Sequence, residues 1–414
     1  MKKLKCTECG STFPLGPEFE GCRSCLKRGV RSALEVVYED PIIGNTFKDA
    51  DYGNKYGKVW AYPQLLPLEN VENIQSLGEG GTPLLRLELP SDHFDLPFVF
   101  VKNEGVNSTC SYKDRANTVT VSVARELGFK KVVASSTGNH GCSLAAYAAS
   151  ADLECIILCH EEAPQTVMNI MQFFGAQVVV GGPRTAFMST LVHENDWFPA
   201  ATIVPFSDVC SPYGVEGFKT IAYEIFEQLG NVIPDAVFAP VGSGDGLYGI
   251  WKGFRELKEK GLTRNLPRMY GCQEAGCAPL VRSFREGRKD VITVSDMGSI
   301  ALSIREPTTS SLALRAVYES GGAAIDCSPS EIEEIWRYLG TEGLFVETAS
   351  AVPLACARKL TQIGHLESIQ NPVCVLTGSG IKWPEFLNAH TRAEPIVAAN
   401  NLDGQTLVSR LLKK

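Results

Sequence analysis

Four groups of residues in this 414-residue chain have types and spacings that could do chemistry. Cys6-Thr7-Glu8-Cys9 and Cys22-Arg23-Ser24-Cys25 are CxxC pairs separated by 12 residues, which lets two knuckles place four thiolates around one Zn²⁺. Lys113, in Ser111-Tyr112-Lys113-Asp114-Arg115, falls at the expected start of a helix. There the positive end of the helix dipole disfavours an ammonium, which fits an amine that must be neutral to form a Schiff base. Ser135-Ser136-Thr137-Gly138-Asn139-His140-Gly141 lies between an apolar run and an alanine-rich helical pattern. N–H groups and hydroxyls at such a helix start make an anion site suited to a carboxylate, and Asn139 adds an amide donor. Pro240-Val241-Gly242-Ser243-Gly244-Asp245-Gly246 has the glycines whose missing side chains let backbone amides surround a phosphate. It lacks the Gly-Lys-Ser/Thr ending of a nucleoside-triphosphate loop and the last position of the dinucleotide fingerprint, so a small phosphorylated cofactor is expected. Taken singly, each motif also has a plain reading: a solvated lysine, an ordinary N-cap, a glycine turn.

Short strands and helices must position these loops. Phe98–Lys102 reads as a strand and Asp114–Leu127 as a helix; Lys131–Ser135 reads as a strand and Cys142–Ala149 as a helix. Glu154–Leu158, Gln177–Val180, Ala236–Pro240 and Val373–Thr377 are further apolar runs ending at Gly, Ser, Thr or Pro, and a helix is expected from about Leu247 to Lys258. Repeated strand-helix units predict an α/β fold with mostly parallel sheets, whose ligands bind at the carboxyl ends of the strands.

Length predicts roughly three domains' worth of chain, or a two-lobed body with an appendage. The 44% hydrophobic residues are enough for a large core, and a net charge of −8 gives no basic field to draw nucleic acid or an anionic membrane. Residues 1–35 carry seven basic and four acidic side chains, too small an excess to change that expectation. The chain has no apolar run of transmembrane length and no apolar signal core after Met1, so a cytoplasmic protein without membrane partners is expected. Ten of the 14 cysteines are scattered and read as buried thiols; Cys110 and Cys142 lie near the loops without a neighbouring base. His93, His160, His193, His365 and His390 have no metal-like partner at fixed spacing.

A Schiff-base lysine, a carboxylate loop and a phosphate cradle together describe a pyridoxal 5′-phosphate enzyme. From about Gly78 to Lys382 the chain resembles the threonine synthase-like group of such enzymes, fold type II, with a tryptophan synthase β-like fold. The resemblance rests on Gly80-Gly81-Thr82-Pro83-Leu84, Ser111–Arg115, Ser136–Asn139, Gly242–Gly246, Glu347-Thr348-Ala349-Ser350-Ala351 and Leu376-Thr377-Gly378-Ser379-Gly380-Ile381-Lys382, in that order. It implies two lobes with twisted, mostly parallel sheets: a catalytic body over 36–400 with a small lobe at about 100–220, a zinc-ribbon-like segment over 1–35 and a tail over 401–414. It further implies that Lys113 holds the cofactor and removes the substrate α-proton, and that Asn139 bonds the ring oxygen. Ser136, Thr137 and Gly138 would hold the carboxylate, and Gly242, Ser243, Gly244 and Gly246 the phosphate. Thr377, with Ser379 as competitor, would face the ring nitrogen. Cys6, Cys9, Cys22 and Cys25 would hold structural Zn, and the assembly would be a homodimer.

Two positions depart from the threonine synthase pattern, where a threonine follows the asparagine and an arginine lies in an Asn-Pro-Phe/Tyr-Arg segment. This chain has His140, and Gly214 in Ser211-Pro212-Tyr213-Gly214. A lost guanidinium–phosphate pair is worth more than about 1 kcal/mol. His140 therefore reads either as a substrate-recognition or proton-transfer group or as a helix-start residue, and Asp245 is expected to face away from the phosphate or to meet the substrate amine. The expectation is a lyase acting on a small α-amino acid with a β- or γ-leaving group by way of an aminoacrylate-type intermediate, releasing ammonia or replacing at the β-carbon. The alternatives are threonine synthase, cysteate synthase-like replacement on phosphoserine, and a non-enzymatic zinc-ribbon scaffold.

Overall fold

The computed structural model describes residues 2–39, 48–91, 94–201, 203, 211–362 and 369–390. His93, His365 and the expected tail over 401–414 lie outside them. In chain order the strands are β1 (Lys2–Cys6), β2 (Thr12–Phe13), β3 (Leu34–Tyr38), β4 (Leu84–Glu88), β5 (Phe98–Asn103), β6 (Lys131–Ser135), β7 (Glu154–Cys159), β8 (Gln177–Val180), β9 (Phe198–Pro199), β10 (Ala236–Pro240), β11 (Arg268–Glu274), β12 (Ala323–Cys327) and β13 (Pro372–Leu376).

They form three sheets. A six-stranded sheet has the order β12-β11-β10-β13-β5-β4, parallel except for β4, which runs antiparallel to β5. A four-stranded sheet, β8-β7-β6-β9, is wholly parallel. The chain leaves the larger sheet at β5, builds the smaller one and returns at β10, so the first helix after β5 sits where both sheets' loops can reach it. Strands β10 and β13 are buried at every residue, which explains apolar runs without polar alternation.

The lysine helix, Lys113–Glu126, is buried continuously from Asp114 to Ala124. Its charged start is not solvated. Arg115 donates to Glu104 (2.7 Å) and Glu224 (2.7 Å), and Lys102 donates to Glu224 (2.6 Å), a fully enclosed ion network between β5, the lysine helix and the helix Thr220–Gln228. Asp114 accepts from Thr109 N (2.6 Å), Thr109 Oγ1 (2.5 Å) and Ser143 Oγ (2.6 Å). These bonds fix the helix start against the loop before it and the helix Asn139–Ser150 beside it.

The cysteine-rich segment forms the third sheet, β2-β1-β3, antiparallel. Leu4, Phe13, Leu34 and Val36 share one apolar cluster with Val119 and Val121 of the lysine helix and Tyr147 of the next. The Tyr213 hydroxyl donates to Gly16 O (2.7 Å), and the Tyr38 hydroxyl donates to Glu216 (2.7 Å). Tyr213 and Glu216 lie on the helix Pro212–Phe218, which packs on the lysine helix so closely that a Cβ on Gly217 would stand 1.8 Å from Arg115 O.

Contacts between Cα atoms divide the chain into Met1–Lys382 and Trp383–Lys414; the described part of the latter carries a helix, Pro384–His390. Among the described residues no helix is long and apolar enough to cross a membrane.

Candidate active site

Each proposed loop leaves the carboxyl end of a strand, and the loops are joined to one another. The loop after β5 is zipped to the loop after β13: Tyr112 N donates to Thr377 O (2.8 Å), Ser379 N donates to Cys110 O (3.0 Å), and Ser111 bridges Gly378. Cys110 takes a left-handed φ of 61°, a strained conformation beside the lysine. Lys113 is the first residue of its helix, one residue earlier than expected, and its Nζ lies 5.0 Å from the Tyr112 ring centroid and 5.3 Å from that of Phe218.

The loop after β6 is tied in by Asn139, whose Nδ2 donates to Glu347 Oε2 (2.8 Å) while its Oδ1 is buried without a partner. Glu347 Oε1 accepts from Thr377 Oγ1 (3.4 Å), and Glu347 N donates to Gly378 O (3.1 Å). Glu347 thus links the Asn139 and Thr377 loops, a role that sequence reading missed although the residue lay in a quoted motif. Ser136 Oγ accepts from Gly141 N (2.9 Å), so this hydroxyl caps the helix, which begins at Asn139 rather than Cys142. Thr137 is half-buried and Gly138 buried beside it. The Ser379 hydroxyl donates to Phe345 O (3.3 Å), whereas that of Thr377 meets Glu347 and Ser350 (3.4 Å).

The loop after β10 approaches the lysine through Tyr112: a Cβ on Gly246 would stand 2.7 Å from the Tyr112 ring. Gly244, with φ 97°, caps a helix that runs Asp245–Glu259, two residues longer at its start than expected. Side chains there would collide, since a Cβ on Gly244 would meet Ala313 Cβ at 2.7 Å. Asp245 is half-buried and close enough to Tyr112 to raise its phenol pKa, though burial is the main cause.

His140 packs on the lysine helix, with Nδ1 3.4 Å from Asn117 Nδ2. Burial, with the nearby Lys113 charge and against a smaller opposing effect of the Ala200 backbone, lowers its pKa to about 3. Arg184 donates to Ser135 Oγ (3.2 Å), and Arg305 joins Asp296 (2.7 Å) to Glu162 (3.1 Å). Arg184 had no sequence signal; tertiary structure brings it to the end of β6.

A family description, pyridoxal-phosphate dependent enzyme, matches residues 75–378. The chain belongs to the pyridoxal-phosphate-dependent enzyme family. It is 35% identical over 416 residues to threonine synthase of Methanocaldococcus jannaschii, covering 99% of both chains. It is 33% identical over 416 residues to threonine synthase of Methanosarcina acetivorans, covering 97% of each. The fold is similar to that of threonine deaminase isoform 2 from Solanum lycopersicum, with a TM-score of 0.64 and 21% identity over 86% of this chain and 98% of that one.

The residues present fit the family's cofactor. Lys113 offers the amine, the start of the helix Asp245–Glu259 offers unpaired N–H groups around a glycine cradle, and buried Ser111 Oγ and Asn139 Oδ1 have no partner. The sulfurs of Cys6, Cys9, Cys22 and Cys25 all lie within 4.8 Å of one another, with Cys6–Cys25 and Cys9–Cys22 each 3.7 Å apart. Glu8 N and Cys9 N donate to Cys6 Sγ at 3.4 Å, and Arg28 Nη2 donates to Cys25 Sγ at 3.2 Å.

Proposed function

We propose that this chain is a threonine synthase, which converts O-phosphohomoserine to threonine with pyridoxal 5′-phosphate at Lys113. The observation that carries this reading is the 35% identity to a threonine synthase across 99% of both chains, cysteine-rich start included. When bound, the cofactor supplies an electron sink for charge developing on the substrate α-carbon. Lys113 Nζ, held over Tyr112 and Phe218, would take and return the α-proton. Thr137 and the N–H groups following Ser136 and Gly138 would hold the carboxylate, while Gly242, Ser243, Gly244 and Gly246 hold the cofactor phosphate. Asn139 has a second amide hydrogen beyond the one given to Glu347, free for the ring oxygen. The neutral Thr377 hydroxyl, rather than Ser379, would face the ring nitrogen.

A second reading, elimination of ammonia or β-replacement without a substrate phosphate, has its own support. His140, with its pKa lowered to about 3, offers no positive charge, and Gly214 offers no guanidinium. Incubation with O-phosphohomoserine, threonine, serine, phosphoserine and diaminopropionate separates the two. Threonine and inorganic phosphate from phosphohomoserine are expected. Ammonia and a 2-oxo acid from serine or threonine, without phosphohomoserine turnover, would transfer the assignment to the second reading.

The cysteine cluster is read as a structural zinc site. Tetrahedral Zn²⁺ with Zn–S of about 2.3 Å puts sulfurs about 3.8 Å apart, close to the 3.7 Å separations here. The enzyme is further proposed to be a homodimer, to be checked by light scattering.

A further inference from the structure

We propose that Thr309 is a ligand of the cofactor phosphate, its hydroxyl completing the anion site that backbone N–H groups open at the start of the helix Asp245–Glu259. This rests on the pyridoxal-phosphate reading of the site and adds a residue from outside the glycine loop.

Thr309 is buried, with 7% of its surface exposed, and its Oγ1 has no hydrogen-bond partner. Proteins rarely leave an enclosed hydroxyl in that condition unless a ligand or water completes it. The same oxygen lies 2.9 Å from the point a Cβ on Gly244 would occupy, and Gly244 caps a helix of 15 residues. The hydroxyl therefore lies against the glycine that caps the cradle's helix.

The segment carrying Thr309 is fastened to the cradle on both sides. Ser310 N donates to Ser243 O at 2.9 Å, and a Cβ on Gly242 would stand 3.2 Å from Ile304 Cα. Capping of the next helix, Ser311–Ser320, falls to Ser310, whose hydroxyl accepts from Leu312 N at 3.1 Å. Thr309 is thus released from the local task that a threonine before a helix usually performs. A threonine in this place supplies what valine of nearly the same shape would not: one donor directed at an anion.

The test compares Thr309→Val and Thr309→Ser with the wild type, titrating each apo chain with pyridoxal 5′-phosphate and with pyridoxal, which lacks the phosphate, by fluorescence quenching. Loss of a hydrogen bond to a charged group predicts roughly tenfold or greater weakening of pyridoxal phosphate binding in Thr309→Val. Pyridoxal affinity should not change, and Thr309→Ser should bind like the wild type. Equal weakening for both ligands, or none for either, would overturn the role of Thr309. A wild-type chain that binds neither ligand would instead overturn the cofactor reading beneath it.

Discussion

Lys113, the proposed Schiff-base amine, and His140, held neutral by burial, are the residues to test first. Replacing Lys113 by Ala should lower turnover by about 10²–10⁴, the range lost with a positioned acid–base group. Borohydride reduction and peptide mapping should tag the Lys113 peptide in the wild type and no peptide in the variant. His140 has its pKa lowered to about 3 by burial, whereas an unfolded histidine titrates near ~6.5. Above ~6.5 it is neutral in both states and contributes no pH dependence. Between that value and about 3 only the unfolded chain takes the proton, so stability should fall on acidification by up to ~1.4 kcal/mol per pH unit. Urea midpoints at pH 5 and pH 7 should show His140→Gln less sensitive to acid than the wild type; equal sensitivity would refute the buried neutral imidazole.

At the scale of elements, the position of the lysine helix depends on what packs behind it. Gly214 and Gly217 stand one turn apart on the helix Pro212–Phe218, yet they differ in what they permit. A Cβ at Gly217 would overlap Arg115 O at 1.8 Å, while one at Gly214 would touch Thr120 Oγ1 at an ordinary 3.5 Å. Gly217→Ala should therefore cost about 1–3 kcal/mol of stability, and turnover with it, because the helix bearing Lys113 must shift. Gly214→Ala should lie within about 0.5 kcal/mol of the wild type. Chemical denaturation of the two variants checks the pair, and equal effects would mean that the contact with Arg115 does not position the helix.

For the molecule as a whole, the cysteine-rich sheet is part of the body. It contributes Leu4, Phe13, Leu34 and Val36 to the cluster that holds the lysine helix, and it reaches the helix Pro212–Phe218 through Tyr213 and Tyr38. Removal of metal with a chelator should lower the unfolding temperature of the body in a single transition, with loss of turnover, since the segment has no core of its own to melt separately. Calorimetry with and without chelator, alongside zinc analysis expected to find one ion per chain, checks this. A separate low-temperature transition that leaves activity intact would show the ribbon to be an independent appendage.

The strands β6, β8 and β10 were legible to the residue in their β-branched and apolar runs, and the loops after β5, β6, β10 and β13 were legible as motifs, because a short strand and a glycine turn are local matters. The cofactor class followed from combining motifs that were weak singly. Helix starts at Asn139 and Asp245 were read late, since asparagine, glycine and aspartate favour loops locally while the site's geometry begins the helices on them. Burial of Arg115 and Asp114, the link through Glu347 and the approach of Thr309 to Gly244 were decided only by tertiary structure. Their partners lie up to about 200 residues away in the chain, and no local pattern encodes which charge or hydroxyl the fold will bring to a given strand end.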